Sequence, residues 1–211
     1  MKASATKSRD DRVQDLFRKF AFLAGSKRQI LRGRLPLEMK REIATFVESC
    51  RQLKDSDYGF LRQHINAGQN AFQVSVPASE LEASWTFPYL IALGEHYLTR
   101  TNEVDLPGLR RRVSLRKVEG HFDLYDFWVN FSYMGDSNPR HNHKGMMSGV
   151  IYFQNTPSQS TVFENGVRFA GTAGDILIFP AALRHSVAKK KSSDERITLS
   201  FNLNFSLQSE K

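Results

Sequence analysis

Apolar residues along this chain fall into two rhythms, and the change from one to the other divides the molecule. In the first hundred residues they recur every third or fourth position. Val13, Leu16, Phe17, Phe20 and Leu23 predict an amphipathic helix from Asp10 to about Leu23, stopped by Gly25. The basic stretch from Ser26 to Arg34 reads as a loop or short strand. Pro36 then stands where a first helical residue belongs, and Met39, Ile43, Phe46, Val47 and Cys50 form one face of a helix ending near Leu53. Residues 54–77 fit neither rhythm. A third helix is predicted from Ala78 to Tyr97, carrying Trp85, Phe87, Leu90, Ile91, Leu93 and His96, with Pro88 as a point where it splits.

After residue 107 the period shortens to two. RRVSLRKVEGHFDLYDFWVNFSYM, GMMSGVIYFQN, STVFENGVRFAGT, GDILIFPAALRHSVA and RITLSFNLNF alternate, are rich in aromatic and β-branched residues, and are bounded by Gly, Pro, Asn or Asp. Several short strands without an intervening helix predict an all-β sandwich or barrel. The expected organisation is a helical N-terminal part, 1–100, packed on a β core, 101–211, as one compact unit.

Composition narrows the class. The 211 residues are 40% hydrophobic and 25% charged, an ordinary globular mixture and enough chain for a self-sufficient core. The single cysteine, Cys50, rules out an intramolecular disulfide and a thiolate ligand set. The longest strongly apolar run, Ile176 to Leu183, contains Pro180 and falls well short of the roughly 20 residues a spanning helix needs. With no apolar stretch in MKASATKSRDDR, the expectation is a cytoplasmic protein with no membrane partner. The net charge of +8 attracts acidic partners. Residues 1–60 hold 14 Lys and Arg against 8 Asp and Glu, and Arg110–Arg112 and Lys189–Lys191 add clusters. Such clusters bind nucleic acid non-specifically, but no aromatics interleave with them, so a solvated face is the favoured reading.

Candidate chemistry begins with histidine. His141 and His143, in Asn-Pro-Arg-His-Asn-His, share a face if the segment is a strand edge. His185 follows the strand Ile176–Phe179 after a Pro-containing bend, and an antiparallel roll brings such strands together. Three imidazoles on one side of a metal leave its other side open for oxygen or water chemistry. The plainer alternative is a pair of histidines in a polar loop. His64, His96 and His121 have no partner at ligand spacing and read as core or surface residues. On the last strand, Arg196 shares a face with Thr198, Ser200 and Asn202. If that face points inward, it holds a buried cation that needs a planar anion, and a carboxylate beside a Thr198 or Ser200 hydroxyl satisfies it. Otherwise Arg196 is a solvated strand end.

In order, Trp128-Val-Asn130, His141-Asn-His143, Ser148-Gly-Val-Ile-Tyr152, Phe179-Pro…His185-Ser-Val187 and Arg196-Ile-Thr198-Leu-Ser200-Phe-Asn202 resemble the 2-oxoglutarate and Fe(II)-dependent oxygenase superfamily. More narrowly, they are similar to a group of small oxygenases with an HxH…H…R motif. The resemblance spans about residues 125–205 and implies a double-stranded β-helix, the cupin-like jelly roll, with supporting helices. It implies Fe(II) on His141, His143 and His185, with His143 where the usual triad has a carboxylate. Asp136 and Glu164 are the alternative sources of that carboxylate. It implies that Arg196 grips the far carboxylate of 2-oxoglutarate with Thr198 beside it, and that Asn130 and Tyr152 line the cosubstrate or substrate pocket.

The expected function is therefore a dioxygenase that couples decarboxylation of 2-oxoglutarate to hydroxylation of a small molecule or peptide. The basic surface suits an acidic substrate. One alternative is a three-histidine dioxygenase or isomerase that does not use 2-oxoglutarate, with Arg196 binding a substrate carboxylate. Another is a basic nucleic-acid-binding module without catalysis. Nothing in the pattern sets an oligomeric state.

Overall fold

The computed structural model describes residues 17–54, 72–76, 78–101, 104–105, 112–113, 120–155 and 159–207. Its strands form two facing antiparallel sheets. The larger runs in space as β1 (Ala21–Phe22), β2 (Leu31–Arg34), β11 (Asp175–Pro180), β8 (Met147–Gln154), β13 (Arg196–Leu207), β6 (Gly120–Ser132) and β3 (Phe72–Ser75). The smaller runs β10 (Arg168–Phe169), β9 (Thr161–Phe163), β12 (His185–Val187) and β7 (Asn138–His141). A separate hairpin pairs β4 (Val104–Asp105) with β5 (Arg112–Val113). This is the jelly roll expected from the strand pattern, with helices α1 (Leu37–Lys54), α2 (Ala78–Glu82) and α3 (Thr86–Thr101) beside it.

Alternation assigns each face of the larger sheet. Ile197, Leu199, Phe201 and Leu203 of β13 join Phe127, Val129 and Phe131 of β6 in one apolar cluster with Met39, Ile43 and Val47 of α1 and Leu90 and Leu93 of α3. The other face of the sheet meets the smaller sheet. At its β8 and β11 side Val150, Tyr152, Leu177 and Phe179 pack with Phe163 and Phe169. At its β13 and β6 side the inward residues are polar, and there the interior opens into a cavity.

Two of the close approaches that glycine allows lie against β13. An added Cβ on Gly149 would stand 2.0 Å from the ring of Phe201, its cross-strand partner. Gly94 lets α3 approach until an added Cβ would lie 2.8 Å from Leu203.

Polar ties fix the helices and the strand ends. The Glu42 carboxylate of α1 accepts the Trp85 and Thr86 backbone N–H groups at 2.9 and 2.8 Å, and so caps α3 from a neighbouring helix. Arg51 of α1 reaches Glu195 through both terminal nitrogens, and Tyr133 donates to the same carboxylate, which locks the residue before Arg196. The buried Asp175 carboxylate accepts from the Thr172 N–H at 2.8 Å and from Arg32 and Arg34. Burial pushes the Asp175 pKa up, but these donors outweigh it and hold the group below its ordinary value.

Three sequence expectations change here. The helix predicted to Leu23 is not continuous: Phe17 and Phe20 are buried, but Ala21–Phe22 form β1 and pair with Leu31 and Arg32. Tertiary pairing overrides a helical rhythm that correctly marked the buried residues. Residues 10–16 lie outside the described residues. The third helix does divide, but at Ala83–Trp85; Pro88 sits in the first turn of α3, where its missing N–H costs nothing. The N-terminal part is also not purely helical, because β1, β2 and β3 extend the larger sheet at both edges.

Glu42→Ala removes the cap of α3 and should lower unfolding free energy by about 1–2 kcal/mol, read from the urea midpoint. Asp175→Asn should cost about 1–2 kcal/mol at neutral pH, since its arginine partners are half exposed. Because the folded-state pKa is depressed, that difference should be present above about pH 4 and vanish as pH falls through the folded value.

Candidate active site

The cavity between the sheets has a volume of about 470 Å³, and His141, His143 and His185 line it. His141 and His185 are direct cross-strand partners on β7 and β12. His143 follows the end of β7, where its backbone N–H is held by the Ala181 carbonyl at 3.0 Å. The possible ligand atoms of the three rings all lie within 4.8 Å of one another.

Hydrogen bonds set their chemistry. His141 Nδ1 donates to the Pro139 carbonyl at 2.7 Å and His185 Nδ1 to the Leu183 carbonyl at 3.1 Å. A carbonyl only accepts, so in each neutral ring the proton is on Nδ1 and the Nε2 lone pair is free. His143 Nε2 and His185 Nε2 stand 3.3 Å apart. Two nitrogens bound at about 2.1 Å to one ion at a right angle stand about 3 Å apart, so the spacing suits a shared metal. Burial and the neighbouring rings push His143 down to about 3. Burial takes His185 down to about 4 and lowers His141 as well. All three are neutral donors at neutral pH, and the set fits a divalent first-row ion.

The other residues expected at the site fall into distinct places. Arg196 opens β13 inside the protein, 4% exposed, and lines the cavity with Thr198. Its Nε donates to Asn155 Oδ1 at 2.8 Å, while its guanidinium lies over the Tyr152 ring at 5.7 Å. No carboxylate among the described residues pairs with it. Tyr152 is fully buried behind the lining, its hydroxyl 2.7 Å from Thr161 Oγ1, and it supports Arg196 from below. Asn130 lines the cavity at the centre of a network. Its Oδ1 accepts from Trp128 Nε1 and Gln73 Nε2, and its Nδ2 donates to Ser200 Oγ. Asp136 and Glu164 are outside the histidine group: Asp136 accepts the Tyr133 N–H, and Glu164 accepts the Arg184 N–H. His96 stacks on Phe17, and His121 is exposed beside Asp123. His64 lies outside the described residues.

Gln73, Asp126, Asn155 and Thr161 complete the surroundings without having been singled out from the sequence. Asp126 and Asn130 share an alternation, Asp126-Phe-Trp128-Val-Asn130-Phe-Ser132, that marks a polar face as clearly as β13 does. Gln73 lies in the segment whose pattern was ambiguous, and Asn155 follows the end of β8, so neither carried a signal.

Arg196 and the histidines thus sit at different depths of one cavity. Along β13, Arg196 pairs with Ser132, whereas Asn202 pairs with Ser148, a residue opposite Phe179, whose ring is 5.0 Å from that of His185.

Residues 158–202, which carry His185, Arg196 and Thr198, match the family described as "Putative 2OG-Fe(II) oxygenase". No curated protein matches the chain by sequence. Among solved structures, the viral collagen prolyl hydroxylase vCPH from Paramecium bursaria chlorella virus 1, in complex with 2OG, is similar with a TM-score of 0.56 at 11% identity, over 83% of this chain and 95% of that one. The non-heme alpha ketoglutarate dependent epimerase SnoN from nogalamycin biosynthesis gives 0.59 at 14% identity, over 92% and 80%. HygX from Streptomyces hygroscopicus, bound to nickel, 2-oxoglutarate and hygromycin B, gives 0.54 at 11%, over 94% and 87%. These likenesses establish a shared fold.

The metal-binding geometry can be measured directly. Titration with Co(II), followed by its visible absorption, should show one site per chain. His141→Ala and His185→Ala should each weaken it by about a hundredfold or more, since loss of a ligand exceeds the tenfold to hundredfold typical of an outer partner. His121→Ala should leave it unchanged.

Proposed function

We propose that this chain is a 2-oxoglutarate- and Fe(II)-dependent oxygenase that hydroxylates a C–H bond of its substrate. The observation that carries the reading is Arg196: a buried guanidinium, unanswered by any described carboxylate, in the same cavity as three neutral histidines. An isolated buried charge costs several kcal/mol, so the site favours a small anion. 2-Oxoglutarate has a carboxylate for Arg196 at one end and an oxo-acid at the other.

His141, His143 and His185 would hold the iron. When bound, the iron supplies the oxygen chemistry in which 2-oxoglutarate and O₂ become succinate and CO₂ while one oxygen atom enters the substrate. The protein's residues do the rest. Asn155 takes the Nε–H of Arg196 and leaves the terminal nitrogens for the carboxylate. Thr198 stands beside it on the same face. Tyr152 backs the guanidinium with an aromatic surface rather than water. The Pro139 and Leu183 carbonyls keep His141 and His185 in the tautomer that presents Nε2. Trp128, its ring 5.7 Å from that of His143, forms the wall facing the reaction centre.

The ligand set also favours a second reading. Three neutral histidines leave the metal one charge more positive than a site with a carboxylate, as in three-histidine dioxygenases that do not use 2-oxoglutarate. Arg196 would then hold a substrate carboxylate.

Succinate release with Fe(II) separates the two. The leading reading expects 2-oxoglutarate-dependent succinate formation and a loss of about a hundredfold in 2-oxoglutarate affinity in Arg196→Ala, as expected for removing a buried charge partner. Oxygen uptake that ignores 2-oxoglutarate would favour the second. An Arg196→Ala variant that binds 2-oxoglutarate normally would contradict the first.

A further inference from the structure

Next to the cavity lies a second depression of about 240 Å³. Ser75, Tyr125 and Asp126 line both, so the two adjoin across a shared rim. The floor of the second is apolar, built from Val76, Leu81, Phe87 and Phe127. The charged groups lining it among the described residues are Glu82 and Asp126, both carboxylates, and neither pairs with a described lysine or arginine.

The junction is built by an irregularity in β6. Its register on β13 passes from Asn202–Asp126 to Leu203–Leu124, which leaves Tyr125 as the extra residue of a bulge. On a regular strand neighbouring side chains point to opposite faces. The bulge instead lets Tyr125 and Asp126 both line the shared rim. Asp126 is held from behind by buried groups. Ser148 Oγ donates to Asn202 Oδ1 at 2.6 Å, and Asn202 Nδ2 donates to Asp126 Oδ2 at 3.3 Å, with Ser148 and Asn202 only 1% and 3% exposed. The Asn202 amide is oriented by the carboxylate, which only accepts.

An apolar floor under a carboxylate rim complements a methylene stem that ends in a cation. We propose that this depression is a substrate subsite for an alkylammonium or alkylguanidinium group, the kind a lysine or arginine side chain carries. The group's neighbouring carbon chain extends past Asp126 to the three histidines, so the inference rests on that cavity being the reaction centre. The charge of this subsite is opposite to the +8 of the whole chain, whose excess lies elsewhere. The substrate is then selected by local carboxylates rather than by the overall basic surface.

The test uses the full chain loaded with Zn(II) and three probes of similar length that carry no carboxylate for Arg196 or the metal: n-hexylammonium, hexanamide and 1-hexanol, with binding followed by saturation-transfer NMR. Hexylammonium should bind about tenfold more tightly than either of the others, as expected for pairing with two exposed carboxylates. Asp126→Asn and Glu82→Gln should each weaken it about threefold, and about 0.5 M NaCl should do the same. Both residues are exposed, and melting curves check that the variants fold. Equal binding of the three probes, or binding indifferent to both substitutions, overturns the proposal. With the subsite upheld, tighter binding of N-acetyl-lysine methylamide than of hexylammonium identifies a peptide as the source of the cation, and weaker binding a free amine. 2-Oxoglutarate is titrated into the same preparation. If it fails to bind while hexylammonium binds, the oxygenase reading falls and the cation site stands; the reverse result removes the subsite alone.

Discussion

The pairing of β13 between β6 and β8 is the constraint on which the rest of the molecule depends. With a period of two, that register sends Ile197, Leu199 and Phe201 under the helices and Arg196, Thr198, Ser200 and Asn202 into the interior. A slip of one residue would exchange the faces, burying a cation in the helix-facing core and emptying the cavity of its polar wall. The same register aligns Asn130 with Thr198 and Trp128 with Ser200, so the network around Asn130 is a consequence of strand pairing. Core and cavity are specified by one alternation read on two sides.

The smaller sheet supplies what the larger one cannot. Cross-strand pairing puts His141 opposite His185, and a carbonyl two residues upstream of each ring selects its tautomer. The backbone in and just before these strands therefore also fixes the Nδ1–H tautomer of both rings. Arg196 is fixed from the helical side as well. Glu195 is clamped by Arg51 and Tyr133, so α1 helps to hold the strand end from which the guanidinium enters the interior. The cost of burying that cation is met locally by Asn155 and Tyr152 and is left for a ligand to complete.

Much of this was legible in the chain because it rests on local periodicity. The polar face of β13 and the proline-ended strand before His185 are written within a few residues, whereas His143 joins His141 from beyond the end of β7 and not along a shared strand face. What was not legible depends on contacts across the fold. Ala21–Phe22 carry a helical rhythm but form a strand because Leu31 and Arg32 are available to pair with them. Gln73 acquires its place only when β3 docks on β6. Asn155 matters because β13 brings Arg196 to it. Asp126 could have been marked by the alternation of β6, yet its position at the junction of two depressions depends on the bulge at Tyr125, which alternation does not reveal.

The most direct measurement is a crystal structure of the protein soaked with Mn(II) and 2-oxoglutarate. This account predicts one ion on the Nε2 atoms of His141, His143 and His185, with the oxo-acid end of 2-oxoglutarate toward it and the far carboxylate on Arg196 beside Thr198. An ion held elsewhere, a His143 ring turned away from it, or a cosubstrate that does not meet Arg196 would contradict the account.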